Sequence, residues 1–187
     1  MVDLATDRWT WTAESYEAAA AAGIFGSEPR LELLDGEVYH AAAMRPPRAL
    51  TVGKLLDRFS SGLDRDRWIV RSQLPVRLDD RSEPEPDLWI AWGPADRYWE
   101  RHPAPADLAL VVEVADTSLA FDRHRKIPRY AEAGVPEAWL VSLPERTVQH
   151  SAEPRPDGYQ SLTTIDVEGV VNVLGVEIAV ADILPPQ

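Results

Sequence analysis

The 187-residue chain contains no cysteine. Disulfide scaffolds, thiolate zinc sites, iron–sulfur ligation and cysteine nucleophiles are excluded together, so any metal site must use oxygen or imidazole. Lysine is scarce as well: of 19 basic residues only Lys54 and Lys126 are lysines, and the rest are arginines. An excess of positive charge is missing, because 31 acidic residues against 19 basic ones give a net charge of −12. That balance argues against attraction to nucleic acid by bulk charge, which comes from Lys and Arg neutralising phosphates, but leaves room for a local basic groove. The arginine dominance itself reads equally as a GC-rich coding background or as phosphate recognition. No apolar run approaches the roughly 18 residues of a membrane span, and the opening MVDLATDRW has no basic stretch ahead of an apolar one. Neither anchor nor signal peptide is expected, and the cytoplasm is the expected compartment.

What is present is the composition of a globular protein, 45% hydrophobic and 27% charged, at a length that suits one domain. Residues 1–29 read as a peripheral segment with one amphipathic helix, capped by Thr12 with Glu14 in its first turn and running to Gly23. Asp35-Gly36 between two short apolar runs predicts a β-hairpin. After Pro46-Pro47, apolar residues at 52, 55, 56, 59 and 63 predict a helix of about four turns. A strand is expected over 67–78, bent or at an edge because of Pro75, and a second, very apolar one over 86–92. A Pro-rich loop covers 93–107. Leu108–Ala115 reads as a central strand, followed by a helix over about 121–133 that stops at Gly134 and by a strand over 137–142. Residues 146–187 alternate strand-like runs (147–151, 159–165, 170–173, 176–180) with turns at Pro156-Asp157-Gly158 and Gly169. With no internal repeat and no dividing linker, the expectation is one α/β domain with a mixed sheet flanked by helices, an N-terminal β-hairpin and extra C-terminal strands.

Two carboxylates stand where they are costly. Asp87 opens one apolar strand and Glu113 interrupts another, and a buried carboxylate must be paired, hydrogen-bonded or bound to metal. Either each pairs with an arginine or the two mark a site. Asp122 and Lys126 then follow four residues apart on one helix face. That spacing suits an ordinary surface pair, or a lysine returned to the end of the Glu113 strand, where it would hold and polarise an attacking water.

The string Glu32-Leu-Leu-Asp-Gly-Glu-Val, then Pro86-Asp87, Val112-Glu113-Val114, and Asp122-x-x-x-Lys126-x-x-x-Tyr130-x-x-x-Gly134-Val-Pro-Glu-x-Trp139-Leu-Val resembles the Uma-two family of restriction-endonuclease-like proteins, a branch of the PD-(D/E)xK nuclease superfamily. The resemblance implies a restriction-endonuclease-like fold. It makes Pro86-Asp87 the PD element, Glu113 the second acidic ligand, and Lys126 a lysine moved onto the following helix, since position 115, where the superfamily lysine would stand, is Ala. It makes Glu32 the fourth catalytic residue, as outer-shell ligand or as acceptor for water, and Gln73 a recurring polar position without an assigned role. Two departures stand out: Arg48 replaces the histidine usual near the start of the helix after the hairpin, and Ser142 replaces the aspartate usual after Trp-Leu-Val.

The activity implied is Mg²⁺-dependent hydrolysis of DNA phosphodiester bonds by a homodimer, with Mn²⁺ able to substitute. The ligands expected are Asp87, Glu113 and the Val114 carbonyl, a hard oxygen set. Lys126 would orient or deprotonate water. Arginines around 45–48, 65–71 and 123–129 are candidates for phosphate contact. His40, His102, His124 and His150 show no ligand spacing. Trp68, Trp89 and Trp139 read as core, Trp92 and Trp99 as surface. The alternatives are a catalytically inactive nuclease-fold protein that binds nucleic acid or a protein partner, and a metal-independent hydrolase such as a glycosidase using Glu32 and Glu113.

Overall fold

Asp35 and Gly36 pass through the left-handed region, at φ +54° and +79°, and so join strands β1 (Leu31–Leu34) and β2 (Glu37–His40) as a two-residue hairpin. Positive φ at both central residues is what a type I′ connection demands. The computed structural model describes residues 9–26 and 30–186; the parts of the N-terminal expectation that fall on 1–8 and 27–29 lie outside the described residues. Helix α1 (Ala13–Ala21) is capped by Thr12, whose hydroxyl accepts from the Ser15 N–H while the Ser15 hydroxyl oxygen accepts from the Thr12 N–H. This reciprocal box uses Ser15 rather than the acidic Glu14.

Helix α2 (Pro46–Gly62) begins with two prolines, whose missing N–H groups are no loss in a first turn. It buries Val52, Leu55 and Phe59. Strand β3 (Trp68–Arg71) is shorter than the predicted 67–78. Gln73 turns to φ +55° and donates its N–H to the Pro86 carbonyl, and Pro75 has no N–H for a ladder, so residues 72–78 form an irregular connection and Gln73 is not on a strand.

The main sheet has the order β3-β4-β5-β6-β7-β8, with β4 (Leu88–Trp92), β5 (Leu108–Ala115), β6 (Glu137–Ser142), β7 (Thr147–Arg155) and β8 (Gly158–Ile165). Neighbours pair antiparallel except β5 and β6, which run parallel and need a crossover. That crossover is a helical run over 119–132. It consists of α3 (Leu119–Phe121), a π-helical turn at Asp122–Lys126 and α4 (Ile127–Glu132). The wider turn lies just ahead of Pro128, which cannot donate to the carbonyl one α-turn back.

Period-two alternation along β5 sends Leu110, Val112 and Val114 into a core shared with α2, and Val111 and Ala115 into a core shared with α4. Glu113 lies on the second face, beneath the helix that carries Lys126 and Tyr130. Trp68, Trp89 and Trp139 are buried as expected, whereas Trp99 is 87% exposed and Trp92 stacks on Trp68. At the C-terminus, β9 (Val170–Val173) and β10 (Val176–Ala179) form a separate hairpin, and the short helix α5 (Val180–Ile183) follows. They complete the α2 face of the core, where Lys54 donates to the Leu184 carbonyl. That lysine is therefore a fastening for the C-terminal segment. No helix among the described residues is long and apolar enough to cross a membrane.

Candidate active site

Nine charged side chains are buried among the described residues, and six of them, Glu32, Arg48, Asp87, Glu113, Asp122 and Lys126, converge on one place. The six arrive on five different supports. Glu32 comes from β1, Arg48 from the first turn of α2, Asp87 from the residue ahead of β4, Glu113 from the end of β5, and Asp122 and Lys126 from the π-helical turn. All four predicted catalytic residues are thus brought together, with Arg48 and Asp122 beside them.

Lys126 Nζ lies 2.7 Å from Glu113 Oε1 and 2.9 Å from Glu32 Oε2. The Tyr130 hydroxyl donates to the same Glu113 oxygen at 2.6 Å. Glu113 Oε2 is buried and has no hydrogen-bond partner. Glu32 Oε2 also accepts the Glu85 N–H at 3.2 Å, which fixes its carboxylate against the segment leading to Asp87. Burial by itself would lower the Lys126 pKa, but Glu113, Glu32 and Asp122 together raise it above its ordinary value. Two carboxylates thus hold Lys126 as an ammonium, the form suited to orienting a water or a phosphate oxygen. Burial pushes Asp122 up, opposed chiefly by Lys126, and its carboxylate accepts from Ser118 Oγ at 2.5 Å.

Asp87 is held differently. Arg48 Nε is 3.1 Å from each of its oxygens and Nη2 is 2.9 Å from Oδ2, while the Val114 N–H donates to Oδ2 at 2.8 Å. Pairing with an arginine, one of the two readings of this carboxylate, is realised here. The N–H of Val114 faces Asp87, and in an extended strand the carbonyl of the same residue leaves on the same side.

Four carboxylates against two cations leave two formal negative charges in excess at a buried site, which is the charge of one divalent ion. The unpartnered Glu113 Oε2 supplies a hard ligand atom, so the donor set fits Mg²⁺ or Mn²⁺ at Glu113, whereas at Asp87 both oxygens are already engaged. In front of these groups lies a cavity of about 150 Å³ lined by Glu32, Tyr39, Arg48, Ser118, Asp122 and Lys126. At ~30 Å³ per water it has room for a handful of waters. A second grouping, Glu17, Glu83 and His102, brings three ligand atoms within 4.8 Å of one another, but Arg77 donates to both carboxylates and already supplies a cation there.

Several of the arginines expected to contact phosphate have carboxylate partners in the structure. Arg48 is committed to Asp87, Arg45 pairs with Asp116, Arg123 with Glu145, and buried Arg129 with Asp35 and Asp79. Arg67, in contrast, lies over the rings of Trp68 and Trp92, and Arg65 and Arg71 donate to backbone carbonyls. Ser142 Oγ accepts the Glu145 N–H and so shapes the turn after β6. The contribution of Tyr130 was not inferred from sequence, although its place one α-turn beyond Lys126 was the available signal.

The fold is also that of a solved protein. A crystal structure of a nuclease, described as putative and as belonging to DUF820, from Anabaena variabilis ATCC 29413, superposes with a TM-score of 0.66. The match covers 84% of this chain and 90% of that one at 14% identity, a likeness of fold. No curated protein matches the chain in sequence. The model of the Uma2 family, described as "Putative restriction endonuclease", matches residues 13–181. From the start of α1 into α5 that match takes in every residue of the buried charged cluster, and the chain belongs to the Uma2 family.

Proposed function

We propose that this protein is a Mg²⁺-dependent endonuclease that hydrolyses DNA phosphodiester bonds at the cluster of Glu32, Asp87, Glu113 and Lys126. The observation that carries the reading is Glu113 Oε2, a buried carboxylate oxygen without a hydrogen-bond partner in a site where four carboxyl groups face two basic side chains. Such an atom is costly unless a cation completes it. Glu113, the Val114 carbonyl and Asp87 would hold the ion. When bound it would stabilise charge on the non-bridging phosphate oxygens and lower the pKa of water.

The chain's own groups account for the rest. The Lys126 ammonium faces the cavity and is available to a phosphate oxygen, where it stabilises the negative charge that develops during attack. Glu32 orients Lys126 and, through the Glu85 N–H, ties the β1–β2 hairpin to the strand that bears Asp87. A site lined by carboxylates, an arginine and a lysine suits the phosphate backbone, which carries no sequence information directly. Cutting both strands calls for two such sites, so the reading includes a homodimer.

The test is cleavage of supercoiled plasmid by the purified chain with Mg²⁺, Mn²⁺ or EDTA, with Asp87→Ala and Lys126→Ala run alongside. Metal-dependent nicking that disappears in both variants is expected. Nicking that survives in either variant, or that ignores EDTA, would overturn the assignment. One observation favours a second reading, a non-catalytic nucleic-acid or protein binder, namely the Arg48 fork on Asp87. Its mark would be nucleic-acid or partner binding with no cleavage and no Mn²⁺ bound.

A further inference from the structure

Both oxygens of Asp87 are engaged, Oδ2 by three donors and Oδ1 by Arg48 Nε alone. Arg48 Nε and Nη2 cover both of its oxygens at 2.9 to 3.1 Å, Val114 N–H adds a third donor direction, and the third guanidinium nitrogen, Nη1, is anchored on the Ala42 carbonyl at 3.0 Å. The two side chains are 7% and 1% exposed. A planar guanidinium on a carboxylate is a strong charge-assisted contact, and arginine stays charged at any pH at which the protein is folded. A divalent ion would seek the lone pairs that this fork already uses, and it would sit against a fixed positive charge. The contrast with Glu113 is sharp, since one of that carboxylate's oxygens is saturated by Lys126 and Tyr130 and the other is bare.

We infer that Arg48 is a built-in counter-ion that competes with the divalent metal for Asp87, so that Arg48 sets the metal affinity and its release completes the ligand set. In the paired state the ion is held from the Glu113 side alone. The inference rests on the reading of Asp87 and Glu113 as metal ligands. It concerns binding of the ion and not cleavage, so the two can fail separately. Arg48 also lines the cavity in front of the site, whereas Asp87 does not.

The experiment is a Mn²⁺ titration followed by electron paramagnetic resonance of the free ion, without nucleic acid, on the wild type, Arg48→Met, Arg48→Lys, Asp87→Asn and the Arg48→Met/Asp87→Asn double variant. Folding of each is checked by circular dichroism. Arg48→Met should bind Mn²⁺ at least tenfold more tightly than the wild type. Asp87→Asn should abolish that gain in the Arg48→Met background, yet change wild-type affinity by less than twofold. If Arg48→Met does not fold, Arg48→Lys decides, because an ammonium cannot span both oxygens and should also tighten binding. Equal, measurable affinity in the wild type and the Arg48 variants would overturn the inference and leave the nuclease reading standing. A tenfold loss on Asp87→Asn in the wild type would overturn it too, by showing that Asp87 serves the ion with Arg48 in place. If no variant binds Mn²⁺, the inference and the metal reading fall together. Tightened Mn²⁺ binding without any plasmid cleavage would support the inference while the nuclease reading failed.

Discussion

Tyr130 and Lys126 meet at a single atom: the phenol oxygen lies 2.6 Å and the ammonium nitrogen 2.7 Å from Glu113 Oε1. One side of the carboxylate is thereby fully satisfied and the other is left bare. The asymmetry follows from helix geometry, since residues four apart on a helix that crosses above β5 present their ends to the same point of the strand.

Tyr130→Phe removes one donor and keeps the packing. Because the phenol is buried against a charged acceptor, unfolding free energy should fall by about 1 to 3 kcal/mol in urea denaturation. An unchanged midpoint would mean that the hydroxyl does not hold Glu113.

Lys126→Met leaves Glu113 and Glu32 without their shared cation, and breaking a buried pair costs about 3 to 5 kcal/mol. The sign of the pH dependence follows from the raised Lys126 pKa. The folded chain holds this proton more tightly than the unfolded chain, whose lysine gives it up near its ordinary value of 10.5. Its stabilisation is therefore complete below pH 10.5 and is lost as the pH rises further. Denaturation series from pH 8 upward should show a constant gap between wild type and variant that narrows above that value; a gap still constant there would contradict the buried ammonium.

Arg129 joins the hairpin turn to the crossover helix, donating to Asp35 at 2.9 Å and Ser82 at 3.2 Å and pairing with Asp79. Its carboxylate partners are nearly half exposed, so Arg129→Ala should cost only about 1 to 3 kcal/mol. The loss should be local: amide exchange should accelerate across 31–40, which carries Glu32, well before it does across 137–142. Uniform acceleration would show that the contact serves global stability only.

Gly36 combines a positive φ with a crowded approach. A Cβ there would lie 2.8 Å from Thr10 Cβ and 3.2 Å from the Trp11 carbonyl oxygen. Gly36→Ala should destabilise by about 1 to 3 kcal/mol, read as a lower thermal midpoint. A neutral result would mean that the 9–12 segment is free to move off the turn.

Much of the fold was legible because short-range chemistry wrote it. The Asp-Gly turn, the Pro-Pro helix start, the apolar β5 with its single carboxylate and the Gly134 stop each correspond to a local requirement that the backbone meets where the sequence signals it. Boundaries were legible less well. Nothing in the run over 67–78 announces that Gln73 turns to positive φ, and nothing in Asp122–Lys126 announces a π-helical turn, because both are settled by what the segment packs against and by where its N–H groups find acceptors.

The sequence by itself determined which residues have the chemistry for the site: two carboxylates in apolar strands, a lysine among arginines and an acidic residue in a hairpin, in the order that marks the family. Only the tertiary structure decided who holds whom. That Lys126 is shared by Glu113 and Glu32, that Asp87 belongs to Arg48 thirty-nine residues earlier, and that Glu113 keeps one free oxygen depend on how α2, the hairpin and the crossover helix close over one end of the sheet. Pairing among buried charges is a matter of distance in space, and with seventeen arginines in the chain, sequence order alone could not choose the partner.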